Sequence, residues 1–109
     1  MLLATAAFAA DFSGTSALEF TRKSVAFGPR PPGSPANLKL QAYIEAQLKT
    51  LHCQVSFDAF TADTPEGRVP MRNIIATFPG GTDRALVVTG HFDSKPMPKF
   101  LGANDAGSS

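Results

Sequence analysis

The residues best suited to chemistry in this 109-residue sequence are a histidine and two aspartates near its C-terminal end. His91 and Asp93 are two positions apart, so in extended backbone both side chains point the same way. An aspartate placed there can hold one ring N–H of the histidine and leave the other nitrogen for a metal ion. Asp105 lies in the small-residue segment 102–107, where a tight turn can present its carboxylate as a second, hard ligand. The spacing therefore suits a zinc site.

Two simpler interpretations of these residues stay open on spacing alone. A histidine at a strand end is often only a polar side chain satisfied by its neighbours, and a Gly-Ala-Asn-Asp-Ala-Gly stretch often only turns the chain. Competing motifs fail more clearly. Gly102 and Gly107 have the spacing of a phosphate-binding loop, but Ser108 stands where that loop needs lysine. Neither His-Glu-x-x-His nor Gly-x-Ser-x-Gly occurs.

Two helices are predicted ahead of any strand. The first covers about residues 17–26, because Ser16 and Glu19 have the pattern of a capping box. The second begins at Pro35, since Ser34 is a good N-cap and proline favours the first helical position. Its apolar residues recur with helical spacing and predict one buried face: Leu40, Ile44, Leu48 and Leu51.

Three strands are predicted to follow. Alternating polarity over residues 53–58 indicates a half-buried strand, and a turn at 64–67 leads into a second strand over 69–78. The continuous apolar run 85–88 is typical of a central strand covered on both faces, and it ends just before His91. We therefore predict an α/β fold with a mixed sheet and helices on both faces, a three-layer α/β/α arrangement with only its N-terminal part present. Ligands of such sheets bind at the carboxyl ends of strands.

Composition excludes several classes of protein. Ten Lys+Arg against nine Asp+Glu give a formal charge of +1 with no basic patch, which argues against a nucleic-acid partner. The apolar runs are far shorter than the roughly 20 residues of a membrane span. Cys53 is the sole cysteine, which excludes a disulfide or a cysteine zinc cluster within this chain. The uncharged residues 1–10 contain Ala7-Phe8-Ala9, a small-x-small site, and are predicted to be a partial secretory signal of a secreted, periplasmic or extracellular protein.

Six short segments, taken in order, resemble a known superfamily. They are Phe27-Gly28-Pro29-Arg30, Pro32-Gly33-Ser34-Pro35, Thr64-Pro65-x-Gly67, Asn73-Ile74-Ile75-Ala76-Thr77, His91-Phe92-Asp93-Ser94-Lys95 and Gly102-Ala103-Asn104-Asp105. The sequence is similar to the zinc-dependent aminopeptidases with the phosphorylase/hydrolase-like α/β fold and to their relatives, the glutaminyl-peptide cyclotransferases or glutaminyl cyclases. The resemblance implies that residues 11–109 are the N-terminal portion of a zinc-exopeptidase-like catalytic domain, truncated at its C-terminus.

The two branches of the superfamily imply different chemistry on peptide or protein N-termini. A cyclase binds one zinc and converts N-terminal glutamine to pyroglutamate with release of ammonia, whereas an aminopeptidase usually binds two zincs and hydrolyses the N-terminal residue. The segments at 64–67 and 73–77 and Lys95 look like the cyclases, which we favour, and residues 104–107 look more like the peptidases. A relative that has lost its ligands would instead be a non-catalytic binding ectodomain.

The resemblance also implies roles for the site residues. Asp105 would be a zinc ligand in both branches, and His91 would be a ligand in the peptidases but only near the metal in the cyclases. Asp93 would belong to the catalytic site without binding zinc. The family's general-base Glu and its remaining ligands have no counterpart up to Ser109. We therefore expect the 109-residue chain alone neither to bind zinc tightly nor to turn over substrate.

Overall fold

The structure, a computed structural model, describes residues 12–102. Two helices precede a pair of strands: α1 (Gly14–Ala26), α2 (Pro35–Lys49), β1 (Gln54–Thr64) and β2 (Gly67–Thr77). The predicted signal segment 1–10 and the predicted ligand Asp105 both lie outside the described residues. Neither helix within 12–102 is long and apolar enough to cross a membrane.

Helix α1 begins earlier than predicted, and its capping differs. Ser13 is the N-cap, and its Oγ accepts a hydrogen bond from the N–H of Ser16 at 3.2 Å. The predicted capping box is therefore wrong, because Ser16 lies inside the helix and Glu19 pairs with Arg22 instead. Capping at Ser13 satisfies a free N–H of the first turn and lets the residues from Gly14 onward join the helix.

Helix α2 begins as predicted. The Oγ of Ser34 accepts from the N–H of Asn37 at 3.1 Å, and Pro35 occupies the first turn, where its missing N–H costs nothing. The predicted apolar face is buried only in part. Leu40 is 1% exposed, whereas Leu51 is 49% exposed because it lies beyond the end of the helix.

Strands β1 and β2 form an antiparallel hairpin with a continuous register from Gln54↔Thr77 to Thr64↔Gly67. The predicted turn is confirmed, with Pro65 and Glu66 as the two loop residues. Gly67 has a φ of 110°, a conformation that side chains with a Cβ rarely adopt, so glycine is needed where the second strand begins.

The third predicted strand, over residues 85–88, does not form within the described part of the chain. Its apolar side chains face solvent, with Leu86 92% exposed and Val88 87% exposed. A strand needs a partner for its backbone, and β1 and β2 pair only with each other among residues 12–102. The α/β class is confirmed, but the described sheet has two antiparallel strands and no parallel pair that would make it mixed.

The best-buried residues of the described chain are mostly polar. Leu40 is the buried hydrophobic residue, and four polar side chains are 1–6% exposed: Arg30, Asn37, Gln41 and Ser94. Buried polar groups are usually hydrogen-bonded, and these four residues are connected to one another by hydrogen bonds. That network joins the helical half of the chain to the segment that carries His91.

Candidate functional site

A cleft of about 410 Å³ opens between α2, the hairpin and the segment that follows residue 88. We call residues 89–102 the site segment. Thr89, Gly90, His91, Phe92 and Asp93 line one side of the cleft, and its other walls come from the loop before α2, from α2 and from the hairpin. Both described members of the predicted site therefore face the same cleft.

His91 and Asp93 are in direct contact. The ring nitrogen Nδ1 of His91 lies 3.3 Å from Oδ1 of Asp93 and 3.1 Å from the Asp93 backbone oxygen. Because both oxygens are acceptors, we assign the ring hydrogen to Nδ1, which in the neutral imidazole puts the lone pair on Nε2. Asp93 thus sets both the orientation and the tautomer of the ring.

This pair is partly open to solvent, with side chains 38% exposed for His91 and 39% for Asp93. Within residues 12–102, no group of three or more His, Cys, Asp or Glu is arranged to hold a metal ion. An imidazole whose Nδ1 hydrogen is held by a carboxylate is nevertheless the nitrogen donor that zinc commonly takes, so the pair fits the metal implied by the resemblance. The zinc-binding roles of His91 and Asp105 stay predictions.

Arg30 holds the site segment in place, a function that its sequence position did not reveal. Its Nε donates to the carbonyl of Phe92 at 2.9 Å, and its Nη1 donates to the carbonyl of Leu101 at 2.6 Å. Its backbone N–H donates to Oγ of Ser94 at 2.9 Å, and the Ser94 N–H returns a bond to the Arg30 carbonyl at 3.2 Å. One residue therefore fastens the segment at three points.

A second chain of hydrogen bonds connects Arg30 to the hairpin. Asn37 Nδ2 donates to the Arg30 carbonyl at 3.1 Å, and Gln41 Nε2 donates to Asn37 Oδ1 at 2.6 Å. Arg72 Nε on β2 then donates to Gln41 Oε1 at 2.9 Å, while its guanidinium lies 4.3 Å from the centre of the Phe57 ring. Helix α2 thus bridges the site segment and the sheet through side chains that are almost fully enclosed.

The network ends in a surface cluster of charges. Lys49 Nζ lies 2.8 Å from Oε1 of Glu45, and Arg72 Nη2 lies 3.9 Å from Oε2 of the same carboxylate. The hydrogen bond from Lys49, followed by the charges of Lys49 and Arg72, holds the pKa of Glu45 below its ordinary value of 4.5, although partial desolvation acts in the opposite direction.

Sequence reasoning missed Arg30 and Ser94 as parts of the site. Both lie in segments that carry the family resemblance, Phe27-Gly28-Pro29-Arg30 and His91-Phe92-Asp93-Ser94-Lys95. The sequence does show that Arg30 is a charged residue between two prolines in a stiff loop, which could have marked it as a site residue. No local pattern, however, indicates its hydrogen-bond partners 62 to 71 residues away.

Residues 73–109 match peptidase family M28, a segment that contains every predicted site residue. The site segment therefore lies within the matched region, whereas both helices precede it.

Two curated relatives are more specific. A glutaminyl-peptide cyclotransferase-like protein of Bos taurus is 41% identical over 83 residues, which cover 71% of this chain and 22% of that protein. A glutaminyl-peptide cyclotransferase of Drosophila melanogaster is 37% identical over 81 residues, covering 72% and 23% respectively. The chain thus spans less than a quarter of the length of these curated relatives.

Two solved structures resemble the fold. The glutaminyl cyclase of an Acidobacteriales bacterium matches with a TM-score of 0.83 and 34% identity, over 99% of this chain and 39% of that one. The glutaminyl cyclase of Macrostomum lignano matches with a TM-score of 0.71 and 34% identity, over 96% and 35%. The resemblance to glutaminyl cyclases and their peptidase relatives, predicted from six segments, is confirmed.

Proposed function

We propose that the protein carrying this chain is a zinc-dependent glutaminyl-peptide cyclotransferase, which converts N-terminal glutamine of peptides or proteins to pyroglutamate. The observation that carries this proposal is the similarity to cyclases, by sequence over 71% of the chain for the Bos taurus relative and by structure over 99% for the Acidobacteriales enzyme. The contact between His91 and Asp93 in the cleft supports it, because it prepares a polar site inside the region matched to the metallopeptidase-like family.

The cyclisation consumes no second substrate, so the protein contributes mainly by positioning the reacting groups of the glutamine. The substrate's α-amino nitrogen attacks the carbon of its own side-chain amide, a C–N bond forms and the bond to the amide nitrogen breaks. The proton that the amine loses passes to the departing nitrogen, which leaves as ammonia. Nucleophile and electrophile belong to one molecule, so a cleft that holds the glutamine folded supplies much of the acceleration. Zinc, when bound, supplies Lewis-acid polarisation of the amide carbonyl.

The residues of the proposed site have different roles. Asp93 accepts the Nδ1 hydrogen of His91 and fixes the ring against rotation. Asp105 would hold the metal, and His91 would lie beside it in a cyclase or join it as a ligand in a peptidase. The two candidates therefore differ in what His91 does.

A zinc aminopeptidase is the second candidate, favoured by the match of residues 73–109 to peptidase family M28. In that case water attacks the first peptide carbonyl and the N-terminal residue is released. Two zinc ions per chain are expected, as opposed to one for the cyclase.

One assay on the full-length gene product separates these functions. A peptide that begins with glutamine yields ammonia and pyroglutamate with a cyclase, free glutamine with an aminopeptidase, and neither with a binding ectodomain. Zinc content measured on the same sample gives an independent answer. A His91→Ala variant separates the two functions further. Its zinc content stays at one per chain if the protein is a cyclase and falls if the protein is a peptidase.

We also propose that the protein is exported. The support is the uncharged, small-residue pattern of residues 1–10, and the test is N-terminal sequencing of the protein recovered outside the cytoplasm. Cleavage after Ala9 or Ala10 is expected, and an intact Met1 on exported material would contradict it.

A further inference from the structure

We propose that Arg30 is a positioning residue for the reaction, because its guanidinium fixes the distance between the His91–Asp93 pair and the segment leading to Asp105. This inference rests on the proposed function for its kinetic consequence. Its geometric basis is independent of that function and lies in the hydrogen bonds of residues 30 and 92–101.

The guanidinium joins two points that are nine positions apart in sequence. Its Nε binds the carbonyl of Phe92 and its Nη1 binds the carbonyl of Leu101, so one rigid planar group sets the separation of the two main-chain segments. Arg30 is 5% exposed, and so water does not compete freely for these bonds. A lysine carries a single nitrogen on a flexible stem and lacks this fork.

The two carbonyls that Arg30 binds lie next to residues of the proposed site or on the path to them. Phe92 lies between His91 and Asp93, and Leu101 immediately precedes Gly102, from which the chain continues towards Asp105. Gly102 is close to the clamp itself: a Cβ at that position would lie 3.8 Å from Nη2 of Arg30 and 3.4 Å from Cβ of Ser94. The clamp thus grips the backbone on both sides of the intervening loop.

The loop does not hold this shape alone. Between the two gripped carbonyls, the described backbone bonds that stay within the loop are Met97 N–H to the Lys95 carbonyl at 2.8 Å and Phe100 N–H to the Met97 carbonyl at 3.3 Å, and one further bond joins the Ser94 N–H to the Arg30 carbonyl. Lys99 has a φ of 60°, a left-handed conformation that costs a residue with a Cβ roughly 1 kcal/mol or more. Such a conformation persists only when its surroundings impose it, and the Arg30 guanidinium holds the backbone on either side of Lys99, at Phe92 and Leu101.

The experiment compares three variants of the full-length gene product. Arg30→Ala removes the clamp but keeps the backbone N–H and carbonyl that bind Ser94, and Arg30→Lys keeps the charge without the fork. Arg68→Ala is the control, because it also removes an arginine, but one whose side chain is 78% exposed on the hairpin.

We expect kcat for a glutamine-initiated peptide to fall about 100-fold in Arg30→Ala, as for a displacement of about 1 Å. Zinc affinity, measured by competition with a chelator, should weaken about 10- to 100-fold, the usual effect of losing an outer support of a metal site. Ethylguanidinium added to Arg30→Ala should restore kcat and zinc affinity, and ethylammonium should not. Arg30→Lys should resemble Arg30→Ala, and Arg68→Ala should match the wild type.

The inference is overturned if Arg30→Ala keeps wild-type kcat and zinc affinity. A loss that ethylguanidinium does not restore, accompanied by a lower melting temperature, would show a merely structural role and also overturn it. Should Arg30→Ala fail to fold, wild-type behaviour of Arg30→Lys would refute the need for the fork. A wild-type protein that binds zinc but leaves glutamine peptides unchanged refutes the cyclase function alone, and zinc affinity then decides the role of Arg30.

Discussion

At the scale of single residues, the Asp93 carboxylate has the most direct influence on the site. It lies within 3.3 Å of the His91 ring nitrogen, and the backbone oxygen of the same residue makes a second contact. Asp93 therefore contacts the ring through two oxygens. The sequence could predict this contact because it is local and joins positions i and i+2.

Asp93→Asn should lower kcat for a glutamine-initiated peptide by about 10- to 100-fold in the full-length gene product, because a neutral amide holds the imidazole less strongly. Zinc affinity should stay unchanged in a cyclase, where His91 is not a ligand. Steady-state kinetics and chelator competition measure the two quantities. Asp83→Asn, at an exposed position in the loop after β2, is the matched control. Equal kcat in both variants would contradict the role given to Asp93.

Glu45 predicts how stability depends on pH. Its pKa is lowered in the folded state, so the carboxylate contributes stability that is present above pH 4.5 and is lost as the pH falls through the lower, folded value. Glu45→Gln should remove that contribution. Urea midpoints measured from pH 6 to pH 3 should therefore fall less steeply in the variant, and parallel curves would contradict the prediction.

At the scale of elements, helix α2 connects the parts of the described chain. Leu40 on its inner face is 1% exposed, and the buried side chains of Asn37 and Gln41 extend from the same helix to Arg30 and Arg72. One helix therefore supplies both the apolar contact and the polar bridge. A defect in its packing should affect the site segment as well as the hairpin.

Leu40→Ala should destabilise the full-length gene product by about 2–5 kcal/mol, because it leaves a cavity in a packed position. Leu38→Ala removes the same atoms from a side chain that is 59% exposed, and it should cost much less. Urea denaturation of both variants gives the comparison. Similar losses would show that Leu40 does not carry the packing of α2.

The sequence predicted elements better than it predicted their connections. Ser34, Pro35 and the turn at 64–67 carry local signals, and each was correctly interpreted. Ser16 has the capping-box pattern, but Ser13 caps α1 and the helix begins at Gly14. The apolar run 85–88 predicts a buried strand, but a run of apolar residues does not specify which strand will pair with it.

The candidate site could likewise be predicted only where its contacts are local in sequence. His91 and Asp93 are neighbours in sequence, and their chemistry is visible in their types. Arg30 reaches Phe92 across 62 residues, and that contact depends on how α2 packs against the hairpin. No local pattern encodes such a separation, so only the folded chain reveals it.

At the scale of the whole molecule, the described chain buries little apolar surface. Its radius of gyration is 17.2 Å, against roughly 13 Å for a compact domain of 100 residues. Leu40 is its buried hydrophobic residue, while Leu86, Val87 and Val88 are 77–92% exposed. The side chains that are buried are mostly the polar ones of the network around Arg30.

The clamp made by Arg30 has a consequence for how the cleft can vary. It contacts main-chain oxygens at positions 92 and 101, which every amino acid supplies. Phe92 lines the cleft, yet its side chain takes no part in the clamp. The identity of residue 92 is thereby uncoupled from the loop's geometry, which leaves the lining of the pocket open to change, in evolution or in the laboratory, while its framework stays constant.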